Sequence, residues 1–174
     1  MGNQATKAIN DAKKNDSRQL NLDGCQLKSL PKDIFTHFPE LEVLSARENL
    51  LTSLPPQISS FPKLKVLNAE NNRLKGDKAL PRQIKELTEL EELALVNNAI
   101  SSLPSELGYL KSLKKLILQE NQLSTLPSQI GELKQLQLLY LGNNKLASLP
   151  SDISSLTAVT ILSIPENTLQ VQFN

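Results

Sequence analysis

The chain is poor in the residues from which reactive sites are built. Its 174 residues include one cysteine, one histidine and no tryptophan, and aromatics make up 3%. A single cysteine closes no internal disulfide, which points to a reducing, cytoplasmic setting. The lone histidine, His37 in Phe35-Thr36-His37-Phe38, supplies neither a zinc cluster nor a Cys–His nucleophile pair. Nineteen basic against eighteen acidic residues leave a net charge of +1. With so few aromatics, that gives neither the basic field nor the stacking platform that nucleic acid requires. The six glycines are scattered singly, so no phosphate-cradling loop is present. No run of 18 apolar residues is long enough to span a bilayer, and the amino terminus lacks the apolar core of a secretory signal. These scarcities argue against an enzyme, a cofactor protein and a metalloprotein, and leave a chain that binds other molecules.

What the chain has in abundance is leucine in a fixed rhythm. One unit reads Leu113, Leu116, Leu118, Asn121, Leu123, Leu126, Pro127, Ile130. The unit's first leucine recurs as Leu41, Leu64, Leu90, Leu113 and Leu136, with Val159 in the last, at gaps of 23, 26, 23, 23 and 23 residues. A degenerate first copy holds Leu20, Leu22, Cys25, Leu27, Leu30, Pro31 and Ile34. This is the leucine-rich-repeat signature, seven times over residues 17–174.

Such a unit cannot bury its apolar side alone, so copies stack into a solenoid. The alternating leucines predict short strands, which stack as a parallel sheet on the concave face of a right-handed coil. The Leu-Pro-x-x-Ile segments predict short helical or 3₁₀ turns on the convex face, entered through proline. The fold class is therefore α/β. The ladder Asn49, Asn72, Asn98, Asn121, Asn144 and Asn167, with Cys25 in the first copy, places a small inward group where each strand ends. An asparagine amide there satisfies backbone groups of the next coil that would otherwise be buried unpaired.

Residues 1–16 read as an amino-terminal segment with an amphipathic cap helix. Ala5, Ala8, Ile9 and Ala12 form its apolar face, Asn3 is its N-cap, and Lys13 and Lys14 close its carboxyl end. At the other end only Leu169, Val171 and Phe173 follow the last asparagine, with Phe173 placed to fold back over the final coil. Monomer is the leading expectation, and pairing of that end with a second copy the weaker alternative.

Residues between the inward leucines face out across the concave sheet in three columns. The first holds Gln19, Val43, Val66, Glu92, Lys115, Leu138 and Ile161; the second Asn21, Ser45, Asn68, Ala94, Ile117, Tyr140 and Ser163; the third Asp23, Arg47, Glu70, Val96, Gln119, Gly142 and Pro165. Solvent-facing strand positions have no structural need to be apolar. Val43, Val66, Val96, Ile117, Leu138, Tyr140 and Ile161, rimmed by Arg47, Glu70, Glu92, Lys115 and Gln119, thus form a candidate protein-binding stripe. Tyr140 and Arg47 are its hot-spot residue types; the competing reading is that β-branched residues simply suit strands. The insertion Lys75-Gly76-Asp77-Lys78 accounts for the one longer gap and reads as tolerated length variation ahead of a specificity loop.

Met1-Gly2-Asn3-Gln4-Ala5-Thr6 fits the myristoylation pattern, with Gly2 the acylated residue and Lys7 next to it. One acyl chain supports only reversible membrane association.

Repeats of 23 residues with the turns Leu54-Pro55, Leu103-Pro104, Leu126-Pro127 and Leu149-Pro150 resemble the intracellular Ras-group class, the Shoc-2/Sur-8-like and Ras suppressor-like proteins. The resemblance covers nearly the whole chain. It implies a non-enzymatic signalling adaptor with one protein partner, or a regulatory subunit of a small GTPase or protein phosphatase complex. A secreted or effector-type ligand-binding repeat protein is the third reading.

Overall fold

The computed structural model describes residues 2–169. Among the described residues nine short strands occur in chain order: β1 (Gln19–Asn21), β2 (Val43–Ser45), β3 (Val66–Asn68), β4 (Lys75–Gly76), β5 (Glu92–Ala94), β6 (Ala99–Ile100), β7 (Lys115–Ile117), β8 (Leu138–Tyr140) and β9 (Ile161–Ser163). Seven of them form one parallel sheet in the order β1-β2-β3-β5-β7-β8-β9. Each coil contributes one strand, and its central leucine points inward. Leu44, Leu67, Leu93, Leu116 and Leu139 are fully buried, and Leu41, Leu64, Leu90, Leu113 and Leu136 lie beside them at 0% exposure. A leucine so enclosed contributes about 1.5–3 kcal/mol by leaving water. The core is one continuous apolar column rather than a set of separate clusters.

The convex side begins with a short helix, α2 (Ile34–His37), numbered after the cap helix α1 (Gly2–Lys14). Five 3₁₀ turns follow: η1 (Pro56–Ser60), η2 (Arg82–Glu86), η3 (Ser105–Tyr109), η4 (Ser128–Glu132) and η5 (Ser151–Ser155). The residue before each is proline: Pro55, Pro81, Pro104, Pro127 and Pro150, all extended with φ between −79° and −64°. Proline's locked φ suits that entry, and its missing N–H leaves no donor to satisfy. The turns η4 and η5 touch backbone to backbone. A Cβ added at Gly131 would lie 2.5 Å from the Asp152 carbonyl oxygen, and one at Gly108 would lie 2.7 Å from that of Gln129.

Between strand and rim the chain bends through a left-handed residue immediately before each ladder position. Gly24, Glu48, Asn71, Asn97, Glu120, Asn143 and Glu166 have φ from +52° to +64°. For a residue with a Cβ this conformation costs roughly 1–2 kcal/mol, and it recurs because each bend delivers the next side chain into the ladder.

Helix α1 covers the first coil. Ala5, Ile9 and Ala12 are buried against the core, and Ala8 is half-buried. The helix starts at Gly2, so Asn3 lies inside the first turn rather than at the N-cap expected of it. Lys13 and Lys14 do occupy the last turn. The helix closes with Asp16 at φ +45°, Asp16 N–H bonded to Lys13 O and Ser17 N–H to Ala12 O. That pair of bonds around a left-handed residue is a Schellman cap.

The last coil is less enclosed. Leu162, in register with fully buried Leu139, is 43% exposed. Leu169 packs half-buried against the core, while the placements expected of Val171 and Phe173 lie outside the described residues. Among the described residues, no helix is long and apolar enough to cross a membrane.

Candidate binding face

The strand register aligns the outward residues as columns. Gln19, Val43, Val66, Glu92, Lys115, Leu138 and Ile161 are successive partners, and so are Asn21, Ser45, Asn68, Ala94, Ile117, Tyr140 and Ser163. The third column continues past the strands through bonds such as Gly24 N–H to Arg47 O and Glu120 N–H to Gly142 O.

Behind this face the ladder works as a chain of bridges. Each asparagine oxygen accepts an N–H from the preceding coil: Asn49 from Leu27 at 2.8 Å, Asn121 from Ile100 at 3.0 Å, Asn144 from Leu123 at 3.0 Å. Each amide nitrogen donates back to that coil's strand end, as Asn121 does to Leu95 O at 2.9 Å and Asn144 to Leu118 O at 2.9 Å. Asn72, Asn98 and Asn167 repeat the pattern. Cys25 occupies the same place in the first coil, where Sγ donates to Asp23 O at 3.5 Å. Burial raises the Cys25 thiol above its ordinary value, with the Asp23 charge adding to the effect.

The two halves of the concave face differ in chemistry. In the amino-terminal half the polar groups engage one another. Asp23 Oδ1 accepts from Ser45 Oγ and from Arg47 N–H, both at 2.7 Å. Arg47 Nε lies 3.1 Å from Glu70 Oε2, off the hydrogen-bond direction, and Asn68 Oδ1 accepts the Glu70 N–H. In the carboxyl-terminal half, the second and third columns hold Ala94, Val96, Ile117, Gln119, Tyr140, Gly142, Ser163 and Pro165, with no charge among them. Val96, Ile117, Leu138 and Tyr140 are half-buried and Ile161 is 44% exposed. Val43 and Val66 are also half-buried, but beside the polar network. Gln119 Oε1 is buried there with no hydrogen-bond partner among the described residues, and the Glu92–Lys115 pair at 3.0 Å borders the surface.

The strand-entry flank is held by ion pairs between successive coils. Glu42 bonds Arg18 at 2.7 Å and Lys65 at 2.8 Å, and Lys114 bonds Glu91 at 2.8 Å. The hydrogen bond from Lys65, then that from Arg18, holds the Glu42 carboxyl below the usual range. On the convex side His37 is exposed, with Nδ1 2.7 Å from Asp33 O. Among the described residues, no three His, Cys, Asp or Glu side chains are grouped to hold a metal ion.

Sequence reading identified the columns and the ladder. It missed the left-handed bends, whose only signals were Gly24 and the doublets Asn71-Asn72, Asn97-Asn98 and Asn143-Asn144. It also missed that Lys75–Gly76 forms a strand, β4, paired in parallel with β6.

A coil of identical strands, asparagine bridges and proline-entered turns defines a leucine-rich-repeat solenoid. The chain belongs to that family: the leucine-rich repeat region model matches residues 15–120, and a leucine-rich repeat matches residues 135–156. No curated protein sequence matches it. Among solved structures it is similar to the plant peptide hormone receptor RGFR1 in complex with RGF2, with 35% identity, TM-score 0.74 and coverage of 84% of this chain and 24% of the receptor chain. It is also similar to the ectodomain of GASSHO1/SCHENGEN3 from Arabidopsis thaliana, at 26% identity and TM-score 0.69, covering 87% of this chain and 21% of that one. An internalin from Listeria monocytogenes, 24% identical, shares the fold at TM-score 0.71 over 90% of this chain and 44% of its own. The chain therefore spans about a quarter of the plant receptor chains it resembles.

Proposed function

We propose that this chain is a non-enzymatic adaptor that binds one protein partner on the carboxyl-terminal half of its concave face. The observation that carries the reading is the apolar group Ile117, Leu138 and Tyr140, set where the second and third columns carry no charge and bordered by the paired Glu92 and Lys115, beside a polar half whose groups already engage one another. Apolar, poorly paired surface gains most on desolvation, and a tyrosine at its centre is the usual anchor type. Arg47, drawn into the Asp23 and Glu70 network, contributes little to such binding. Support also comes from the similar receptor, which was solved in complex with RGF2.

The finer parts of the reading are a cytoplasmic location, a small GTPase or phosphatase complex as partner, and reversible membrane association through myristoylated Gly2. The partner class rests on the 23-residue Leu-Pro repeats, and the tether on the Met1-Gly2 motif with Lys7. Labelling with an alkyne fatty acid in cells that carry the acyltransferase tests the tether, with Gly2→Ala as control.

The test of the main reading is affinity capture by the parent and by a variant with Ile117, Leu138 and Tyr140 changed to Ser. A partner captured by the parent and by Arg47→Ala, but lost by the triple variant with its melting transition intact, supports it. Retention by the triple variant moves function off this face. Tyr140→Ala alone is expected to weaken binding by about 1–3 kcal/mol.

A further inference from the structure

The one coil that departs from the 23-residue period builds a feature absent from the other described coils. After Leu74 the chain forms β4, whose two residues pair with Ala99 and Ile100 of β6 in a separate two-stranded sheet. Gly76 then turns at φ +69°, a conformation costly for other residues, and carries Asp77 and Lys78 out from the rim. Two adjoining hollows are lined by this segment. The larger hollow has a volume of about 670 Å³ and crosses four successive coils. The second, about 590 Å³, shares Ser53, Asp77 and Lys78 with it and adds Arg82.

The larger hollow is rich in unengaged donors. Lys75 and Lys78 line it together with Thr52, Ser53, Ser101 and Gln122, residues that carry hydroxyl and amide donors. None of these side chains is held by a hydrogen bond or ion pair within the described residues. The contrast with Lys63, Lys65, Lys111, Lys114 and Lys115, each paired to a glutamate on a neighbouring coil, is direct. Asp77 is the one carboxylate in the lining, and Arg82 in the adjoining hollow meets Glu106 only at 3.7 Å.

We propose that this rim hollow is a binding site for a phosphate monoester carried on a peptide, with Lys75 and Lys78 as its cationic arms. Two ammonium groups and several neutral donors, with one acceptor carboxylate, match a dianion that offers three acceptor oxygens. A carboxylate offers two oxygens and one charge, and leaves part of that donor set unused. The phosphoryl source is either a peptide or free phosphate, and the two are separable. The site lies away from the Tyr140 surface, so it stands or falls apart from the adaptor reading.

The test is an NMR titration of the ¹⁵N-labelled full chain with three probes: a Gly-phosphoserine-Gly tripeptide, its glutamate counterpart and inorganic phosphate. The expected result is saturable shifts at the Gly76 and Ser101 amides with the phosphopeptide, weakened about tenfold or more in Lys75→Ala/Lys78→Ala. Affinity should also fall as salt rises. Saturation by the phosphopeptide but not by inorganic phosphate supports a peptide-borne ligand. Equal saturation by inorganic phosphate overturns the peptide part and leaves a free-phosphate site. Equal shifts with the glutamate peptide, no saturable shift with any probe, or shifts that survive the double substitution each overturn the proposal. Both lysines are exposed, so the variant should fold as the parent does, and its unchanged shifts elsewhere check this.

Discussion

The first and last coils carry the same motif and acquire different interiors. In the first, Leu20 and Leu22 are enclosed at 2% and 0% exposure between β2's coil and helix α1. In the last, Leu162, the equivalent of Leu20, remains 43% exposed, and Ile164, the equivalent of Leu22, is only half-buried. The flank differs as well: among the described residues no ion pair involves a residue beyond Glu132. A leucine in this fold is buried by the neighbour stacked on it, not by its place in the motif. Stability should therefore be distributed by position along the solenoid, with the middle firm and the carboxyl-terminal coil loose.

The sharpest way to break that contrast is to truncate equivalent leucines. Leu93→Ala in the middle should cost about 3–5 kcal/mol, while Leu162→Ala should cost less than about 1 kcal/mol, measured as shifts in urea midpoint. Similar losses at both sites would show that the last coil is as firm as the others. The asparagine ladder gives a second comparison: Asn121→Ala should cost about 1–3 kcal/mol and half-buried Asn167→Ala clearly less. If Asn121→Ala matched the parent, the bridges would not be holding the coils. Gly131→Val tests the contact between η4 and η5. Its Cβ has no room beside Asp152, so a loss of about 1–3 kcal/mol is expected, whereas a Cβ at the open rim position of Gly76 meets no atom within 4 Å, and alanine there suffers from its left-handed φ.

The smallest effect belongs to the exposed flank. Glu42 has a folded value below the unfolded one, so its contribution is complete above the ordinary glutamate range. It is lost as pH falls through that range toward the lowered value. Glu42→Gln should therefore lower the urea midpoint slightly at neutral pH and not at all in acid, and added salt should shrink the difference.

The sequence made the core and the columns legible because both follow from a local period. Leucines three and two residues apart, repeated every 23, settle which side chains face in, and the register then follows. The polar network is a different matter. Whether Arg47 meets Glu70 or solvent depends on side-chain placement across coils 23 residues apart, which no local pattern records. Glu48, Glu120 and Glu166 hid their left-handed backbone for a related reason, since glutamate carries no turn signal and tertiary context imposes the bend. Asn3 was misplaced by a residue or two, the ordinary uncertainty of a helix end. The insertion was legible as extra length but not as a strand, because β4 exists only through its pairing with β6.

That insertion leaves the sheet undisturbed. Val66 still faces Glu92 and Asn68 still faces Ala94 across the longer coil, as if nothing had been added. The rim absorbs length the way a hem takes up slack cloth, and the weave on either side keeps its count. A molecule built this way has a margin where new side chains can be tried one coil at a time, with the grip of the remaining coils unchanged.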